Sequence, residues 1–310
     1  MDRTLPIPPD RGHVLTEQSS AGSARLDTMS TADILRTISD ADMGVANAVR
    51  DQIKHIGQFV ELAHKSFSRG GRLIYLGAGT SGRLGVLDAS ECPPTFQTDP
   101  AQIVGVIAGG DRALRESSEH KEDEYDGACE QLEAIGIGPN DAVLGIAAGG
   151  TTPFVLGGVE HAKSQSCATG LLVCTPMAPP HYCDVLIAVE SGPEVVAGST
   201  RMKAGTATKM VLNMITTSLM IRQQKTFGGL MVDLRATNDK LRDRAARIVS
   251  EIAGVDRDLA FVLLEKADGH AKVASAMGTL GINAKDARQR IEKTNGSLRR
   301  VLESSQGGTP

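Results

Sequence analysis

The chain has few aromatic residues and no long apolar run. Its 310 residues include no tryptophan and only 3% aromatic residues, so aliphatic side chains and methionine must fill the core. No segment approaches the ~18 apolar residues of a membrane span, and the polar start of the chain, Met1–Arg25, lacks the pattern of a signal peptide. We therefore expect a cytoplasmic protein without a membrane-spanning segment.

The chain also lacks an excess of basic charge, and its cysteines and histidines lack the spacing of metal ligands. The net charge of −4 argues against a nucleic-acid partner, which needs a basic surface, but it permits a small phosphorylated ligand held by a local pocket of donors. Five cysteines and seven histidines show no metal-ligand spacing. We expect reduced thiols, with Cys167 and Cys174 in apolar surroundings, and neither a metal nor a covalent intermediate in any reaction.

Periodicity divides the chain into three predicted parts. Residues 1–40 are predicted to form an arm and a short helix capped by Ser30. Residues 41–238 begin with one amphipathic helix, Ala41–Ser68, and end with another helix at about Arg201–Gln224. Residues 239–310 have a helical composition interrupted near Gly269, Gly281 and Gly296. This tail predicts a bundle of three or four helices.

Five short apolar runs alternate with helical or loop segments in the middle part. They are Arg72–Leu76, Gln102–Ile107, Ala142–Ile146, Leu171–Cys174 and Val185–Val189. Strands that are apolar on both faces and alternate with helices are typical of a parallel sheet covered on both sides. The fold class is therefore predicted as α/β, a three-layer αβα domain with a five-stranded parallel sheet, plus a small C-terminal helical bundle.

A glycine- and hydroxyl-rich segment follows the first predicted strand. In Gly77-Ala-Gly-Thr-Ser-Gly82, Gly79 permits close backbone approach, and Thr80 and Ser81 supply hydroxyls at a helix start, where N–H groups attract an anion. The spacing also matches GxGxxG, but no acidic residue ends the second strand, as a dinucleotide site would require. A phosphosugar site, a dinucleotide site and a purely structural turn all remain open from spacing alone.

Two later segments repeat this chemistry. Gly149 and Gly150 precede Thr151 and Thr152 at a second predicted helix start, with Pro153 suited to the first turn. In the third segment Ser199 and Thr200 stand at a helix start beside three basic residues, Arg201, Lys203 and Lys209. Loops that follow neighbouring parallel strands converge at one sheet edge. We expect the first two to bind one ligand there, while the third is either a further wall of that site or a capped helix.

Carboxylates are the candidate acid–base groups. Glu91 is expected just after the first helix of the sheet domain, among apolar residues and two prolines that could raise its pKa. Glu119, Glu122, Asp123 and Glu124 form an acidic run, which by itself is typical of a solvated helix face. Spacing does not choose a catalytic residue among them.

Several stretches match one family pattern closely. They are Gly77–Phe96, Ile107–Gly110, Glu122-Asp123, Gly198–Thr206, Leu212-Asn213, Leu230–Asp233 and Thr237-Asn238. Together they resemble the N-acetylmuramic acid 6-phosphate etherase family, which has the sugar isomerase (SIS) fold. The match runs from about Leu15 to Leu302 and includes the tail, which resembles a ubiquitin-associated domain.

The resemblance implies a lyase without cofactor or metal that acts on a phosphosugar. In that reaction the opened sugar loses its C2 proton, D-lactate leaves from C3, and water adds to give N-acetylglucosamine 6-phosphate. By motif, Glu122 corresponds to the base at C2, and Glu91 to the acid that assists lactate departure and later activates water. The resemblance also implies a homodimer with its site near the subunit interface, and a role in amino sugar catabolism or peptidoglycan recycling.

Two stretches differ from the family pattern. Ala148–Pro153 reads Ala-Gly-Gly-Thr-Thr-Pro where the family usually has Ala-Ser-Gly-Arg-Thr-Pro, so an arginine and a serine are missing. Ser19–Ser23 replaces the usual Arg-Asn-Pro of the arm. The alternatives are therefore an isomerase on the same fold and a non-catalytic sugar-phosphate sensor resembling glucokinase regulatory protein, although that protein has two SIS domains and this chain has room for one.

Overall fold

The computed structural model describes residues 10–116, 118–234 and 238–306. Thr237, one residue of the predicted family match, lies outside these ranges, as do the first nine residues of the predicted arm and the last four of the tail. The described residues form two compact units. The first comprises residues 10–89 and 103–215, and the second comprises residues 90–102 and 216–306.

Three α-helices precede the sheet in the first unit. α1 spans Thr31–Asp42, and the Ser30 hydroxyl accepts a hydrogen bond from the Asp33 N–H, which confirms the predicted cap. The single helix predicted over 41–68 is wrong, because it is divided into α2 (Val45–Asp51) and α3 (Ile53–Ser68). The break has a local cause. The Gln52 N–H bonds to the carbonyl of Val49, a tight closing turn, and its side chain pairs with His55 at the start of α3.

The five predicted strands form one parallel sheet. They are β1 (Leu73–Gly77), β2 (Ile103–Ile107), β3 (Ala142–Ile146), β4 (Ala168–Val173) and β5 (Val185–Ala188). Their order in the sheet is β2-β1-β3-β4-β5, and all pairings are parallel. All five residues of β1 and of β3 are buried, as the unbroken apolar runs predicted.

Helices cover both faces of this sheet. The next four are α4 (Gly79–Phe96), α5 (Cys129–Ala134), α6 (Pro153–Ser164) and α7 (Lys203–Arg222). Phe59 of α3 packs against Gly170, and Val159 of α6 packs against Gly145. Leu144 pairs with Gly170, while the next residue, Gly145, pairs with Leu171. Because successive residues of a strand face opposite sides, α3 and α6 lie on opposite faces, which confirms the three layers.

The second unit contains a short hairpin and five helices. β6 (Thr226–Phe227) and β7 (Leu230–Met231) pair antiparallel, and α8 to α12 span Asp239–Ala253, Arg257–Lys266, Ala271–Leu280, Ala284–Lys293 and Leu298–Gln306. The predicted breaks near Gly269, Gly281 and Gly296 are confirmed. A further break at Gly254 makes five helices instead of three or four, because the chain there takes a left-handed conformation (φ 67°) that ends α8.

Two expectations from the composition concern the cysteines and the helices. Cys167 and Cys174 are buried as expected, and burial raises the pKa of Cys174 to about 12. Among the residues described, no helix combines the length and the apolar character needed to cross a bilayer.

Candidate functional site

The predicted ligand loops begin at the carboxyl ends of neighbouring strands. β1 ends at Gly77 and its neighbour β3 ends at Ile146, and because the strands are parallel both ends lie at the same edge of the sheet. The chain after β1 leads into α4, and the chain after β3 leads into α6. The expected convergence of the first two loops is therefore confirmed at the level of the backbone.

The first loop is shorter than expected, because α4 begins two residues after β1. Gly79, Thr80 and Ser81 thus form the first turn of the helix rather than a loop. The first helical hydrogen bond runs from Gly82 N to Ala78 O at 3.1 Å. The N–H groups of residues 79–81 therefore precede the helical ladder, in the position where helix starts bind anions.

Glu122 lies between these two helix starts. Its carbonyl accepts a hydrogen bond from the N–H of Phe154 in the first turn of α6, at 3.0 Å. Its carboxylate oxygen Oε1 would lie only 3.2 Å from a methyl group built on Gly79. A side chain at position 79 would therefore crowd the Glu122 carboxylate. The backbone of Gly79 also has a positive φ (51°), which favours glycine.

The acidic run around Glu122 is not a helix face. Residues 122–124 form a turn and a bend after the 3₁₀-helix Glu119–Lys121, with Glu122 half-buried and Asp123 and Glu124 exposed. Lys121 pairs with Glu124 at 2.7 Å. The structure thus separates one carboxylate of the run, Glu122, from its solvent-facing neighbours.

The second loop, Ala147–Thr152, leaves few main-chain donors at the start of α6. Pro153 occupies the first helical position as predicted and has no N–H. The Phe154 N–H bonds to Glu122, and the Gly150 N–H bonds to the Ala147 carbonyl at 2.8 Å. The half-buried Thr151 and Thr152 follow Gly149 and Gly150 in this loop.

The third segment adjoins the first. Ser199 and Thr200 lie in the half-buried turn just before α7. A methyl group on Gly205 would lie 3.5 Å from the Thr200 carbonyl oxygen and 3.6 Å from Cγ2 of Thr80. The structure therefore brings Thr200 close to the first turn of α4, as expected for a further wall of one site.

A buried carboxylate orders this third segment. Glu194 is 0% exposed, and its two oxygens accept hydrogen bonds from the N–H groups of Lys203 and Ala204, at 3.0 and 2.9 Å. No local sequence pattern indicates this cap, because Glu194 stands nine residues before Lys203 instead of at a standard capping position. The Lys203 ammonium bonds to the Ser191 carbonyl at 2.7 Å, so this lysine belongs to the scaffold.

Two cations of the segment line a cavity beside the first helix start. The cavity has a volume of about 350 Å³ and is lined by Thr80, Arg201, Thr206 and Lys209, among others. Arg201 and Lys209 are exposed. Positive charge next to the N-terminal turn of α4 favours an anionic ligand.

Comparison with known proteins relates most of the chain to one family. The chain is 49% identical over 288 residues to N-acetylmuramic acid 6-phosphate etherase of Mycolicibacterium smegmatis, covering 93% of this chain and 97% of that protein. It is 45% identical over 292 residues to the etherase of Geobacillus thermodenitrificans, covering 94% and 99%. The chain belongs to the N-acetylmuramic acid 6-phosphate etherase family.

Two further similarities concern parts of the chain. Residues 54–163 match the family described as the glucokinase regulatory protein N-terminal SIS domain. A solved phosphoheptose isomerase from Neisseria gonorrhoeae, 14% identical, aligns with 61% of this chain and 97% of its own, with a TM-score of 0.45. The region matched by the SIS family contains the first two loops and Glu122.

Glu91, the second carboxylate of the etherase motif, has surroundings that differ from the prediction. α4 continues through Pro93 and Pro94 to Phe96, so Glu91 lies within the helix and not after it. Each proline lacks the N–H that would donate to the preceding turn, yet the helix continues past both of them. Glu91 is exposed and belongs to the second unit. This chain therefore does not enclose Glu91 in the apolar setting that the sequence suggested.

Proposed function

We propose that this chain cleaves the D-lactyl ether of N-acetylmuramic acid 6-phosphate, giving N-acetylglucosamine 6-phosphate and D-lactate. The observation that carries the proposal is the match to etherases over nearly their full length, with both motif glutamates retained. A sensor needs no acid–base pair, and an isomerase needs no acid at a C3 ether oxygen. The position of the Glu122 carboxylate against the first turn of α4 supports a role for it at the ligand.

The proposed chemistry divides acid and base work between the two glutamates. Glu122 takes the C2 proton of the open-chain aldehyde, where the carbonyl makes that proton acidic. Glu91 donates a proton to the C3 ether oxygen as the bond between C3 and that oxygen breaks. The departing oxygen therefore leaves as the neutral hydroxyl group of D-lactate and not as an alkoxide. Water then adds at C3 of the unsaturated aldehyde with Glu91 as base, and C2 regains a proton from Glu122.

The phosphate is proposed to bind across the helix starts without the arginine that is usual in the family pattern of the second loop. The N–H groups of residues 79–81, the hydroxyls of Thr80 and Ser81, and those of Thr151 and Thr152 supply neutral donors. Ser199 and Thr200 are proposed to bind the sugar or its phosphate from the third segment. Arg201 and Lys209 add positive charge at the α4 side.

Incubation with N-acetylmuramic acid 6-phosphate, followed by an enzymatic assay for D-lactate, tests the proposal. Release of one D-lactate for each N-acetylglucosamine 6-phosphate formed is the expected result. Unphosphorylated N-acetylmuramic acid serves as the control and should give far less product. Tight binding of the phosphosugar without lactate would favour a sensor, and conversion of an aldose to a ketose phosphate would favour an isomerase. Either result would contradict the proposal.

We also propose that the chain works as a cytoplasmic homodimer, as its resemblance to the family implies. A dimer would have a mass of about 65 kDa, twice the 32.6 kDa of one chain. Sedimentation equilibrium at micromolar concentration measures this mass directly, and a monomer mass would contradict the assembly.

A further inference from the structure

The N-terminal arm is fixed to the loops of the site through its main chain. The Leu15 N–H donates to Oγ1 of Thr175, just beyond the end of β4, at 3.2 Å. The Thr16 carbonyl accepts a hydrogen bond from the N–H of Gly198, in the third segment, at 3.0 Å. The arm at residues 14–17 therefore spans from the carboxyl end of the sheet to the turn before α7.

Thr16, held between these two attachments, carries an unusual hydroxyl group. The residue is 0% exposed, and its Oγ1 has no hydrogen-bond partner among the residues that the structure describes. Buried hydroxyls nearly always form a hydrogen bond, because an unpaired one lowers stability. An isosteric valine would remove that cost, so the hydroxyl requires an explanation other than packing.

The Thr16 hydroxyl lies at the glycine of the second loop. The three heavy atoms nearest to a methyl group built on Gly149 would be Thr16 Oγ1 at 3.6 Å, Val14 Cγ1 at 3.6 Å and Thr151 Oγ1 at 3.7 Å. Two hydroxyl groups therefore face the same side of Gly149. Because glycine has no side chain, a ligand atom can approach both hydroxyls there.

The carboxylate that follows Thr16 in the arm, that of Glu17, lies at Gly198 and not at Gly149. The carboxylate of Glu17 lies at Gly198, where its Oε2 would be 3.1 Å from a built methyl group, and it is not among the atoms nearest to Gly149. The N–H groups of Gly150 and Phe154 are already bonded, and Pro153 has none. Side-chain hydroxyls can therefore add to the main-chain donors that this loop offers an anion.

We propose that Thr16 is a further phosphate-binding residue, which donates its hydroxyl hydrogen to an oxygen of a phosphomonoester seated over Gly149. The inference deepens the proposed function and relies on it for the identity of the phosphosugar. It assigns the arm to the binding site and gives the second loop a donor in place of the missing arginine. The hydroxyl groups of Thr16 and Thr151 would then be two uncharged donors to the phosphate at Gly149.

Isothermal titration with N-acetylglucosamine 6-phosphate, and with N-acetylglucosamine as the unphosphorylated control, tests this assignment. Thr16→Val should weaken binding of the phosphosugar about tenfold, the effect of one hydrogen bond to a charged group. Binding of the unphosphorylated sugar should stay unchanged. Thr16→Ser, which keeps the hydroxyl, should bind the phosphosugar within about threefold of the wild type.

Thermal unfolding of the same variants separates binding from structure. The Tm of Thr16→Val should equal or exceed that of the wild type, because the variant loses an unpaired buried hydroxyl. Unchanged phosphosugar affinity in Thr16→Val, or equal weakening for both sugars, would overturn the assignment. If the valine variant does not fold, Thr16→Ala replaces it under the same criteria.

The lactate assay keeps the two proposals apart. A wild-type chain that binds the phosphosugar through Thr16 but releases no lactate would refute the etherase and leave the assignment of Thr16 intact. Lactate release by the wild type, together with unchanged affinity of Thr16→Val for the phosphosugar, would support the etherase and overturn the assignment of Thr16. Absence of phosphosugar binding by the wild type would overturn the assignment of Thr16.

Discussion

At the scale of single residues, Glu122 lies at two helix starts, those of α4 and α6. Its carbonyl is bonded to the start of α6, and its carboxylate faces Gly79 at the start of α4. Glu122→Gln keeps this size and shape but removes the base. We expect exchange of the substrate's C2 proton with solvent deuterium to fall by ~10²-fold or more, the usual effect of losing a positioned base.

Glu124→Gln is the matched control for this measurement. Glu124 lies two residues away, is exposed and pairs with Lys121. Its replacement should leave proton exchange within about twofold of the wild type, because exposed ion pairs contribute little. Full exchange activity in Glu122→Gln would remove this residue from the mechanism.

Glu91 is expected to act at a different step from Glu122. If Glu91 protonates the departing ether oxygen, Glu91→Gln should slow D-lactate release by ~10²-fold while C2 exchange continues. Deuterium incorporation into recovered substrate, measured alongside lactate, gives the ratio of the two rates within one reaction. An equal fall in both rates would show that Glu91 has a structural role or binds the sugar.

At the scale of elements, the start of α7 depends on a residue far from it in sequence. Glu194 is buried, and both of its carboxylate oxygens accept hydrogen bonds from the helix, whereas the nearby Glu190 is exposed. Glu194→Ala leaves two N–H groups without their acceptor. We expect a loss of about 2–4 kcal/mol in the free energy of unfolding, and Glu190→Ala should change it by less than ~0.5 kcal/mol.

Urea unfolding followed by circular dichroism measures both variants. The same helix start holds Ser199 and Thr200, so Glu194→Ala should also raise KM for the phosphosugar at temperatures where the variant stays folded. A stability equal to that of Glu190→Ala would show that the two hydrogen bonds do not hold the helix start.

At the scale of the whole molecule, one buried lysine links stability to pH. Lys272 in α10 donates to the carbonyls of Gln224 and Gly296 and pairs with Asp233 at 2.7 Å. Burial lowers its pKa below the ordinary 10.5, although Asp233 opposes the shift. The unfolded chain therefore binds a proton more readily than the folded chain between the lowered pKa and 10.5.

The contribution of Lys272 to stability should accordingly rise with pH through that window, and it should be constant at pH values below the folded pKa, where the lysine is protonated in both states. Compared with Lys272→Met, the wild type should gain stability with a slope of at most about 1.4 kcal/mol per pH unit. Asp233 keeps Lys225 as a partner in the variant, at 2.9 Å, so it retains a cation partner. Parallel curves of unfolding free energy against pH for the two proteins would contradict the linkage.

Local patterns determined most of the secondary structure. The five apolar runs became the five parallel strands, Ser30 became a helix cap, and the glycines of the tail became helix ends. These features depend on hydrophobic burial and on backbone preferences that act within a few residues. The breaks at Gln52 and Gly254 were not predicted, because apolar periodicity continues past them.

The sequence by itself determined the family, the strands and the set of residues with suitable chemistry. Only the tertiary structure decided which of these groups lie together: it places Glu122 at Gly79, uses Lys203 inside the scaffold and places Thr16, which no motif had indicated, beside Gly149. Each of these placements depends on contacts between residues that are far apart in the chain. Spacing along the sequence carries no record of such contacts, because the packing of helices on the sheet decides which loops meet.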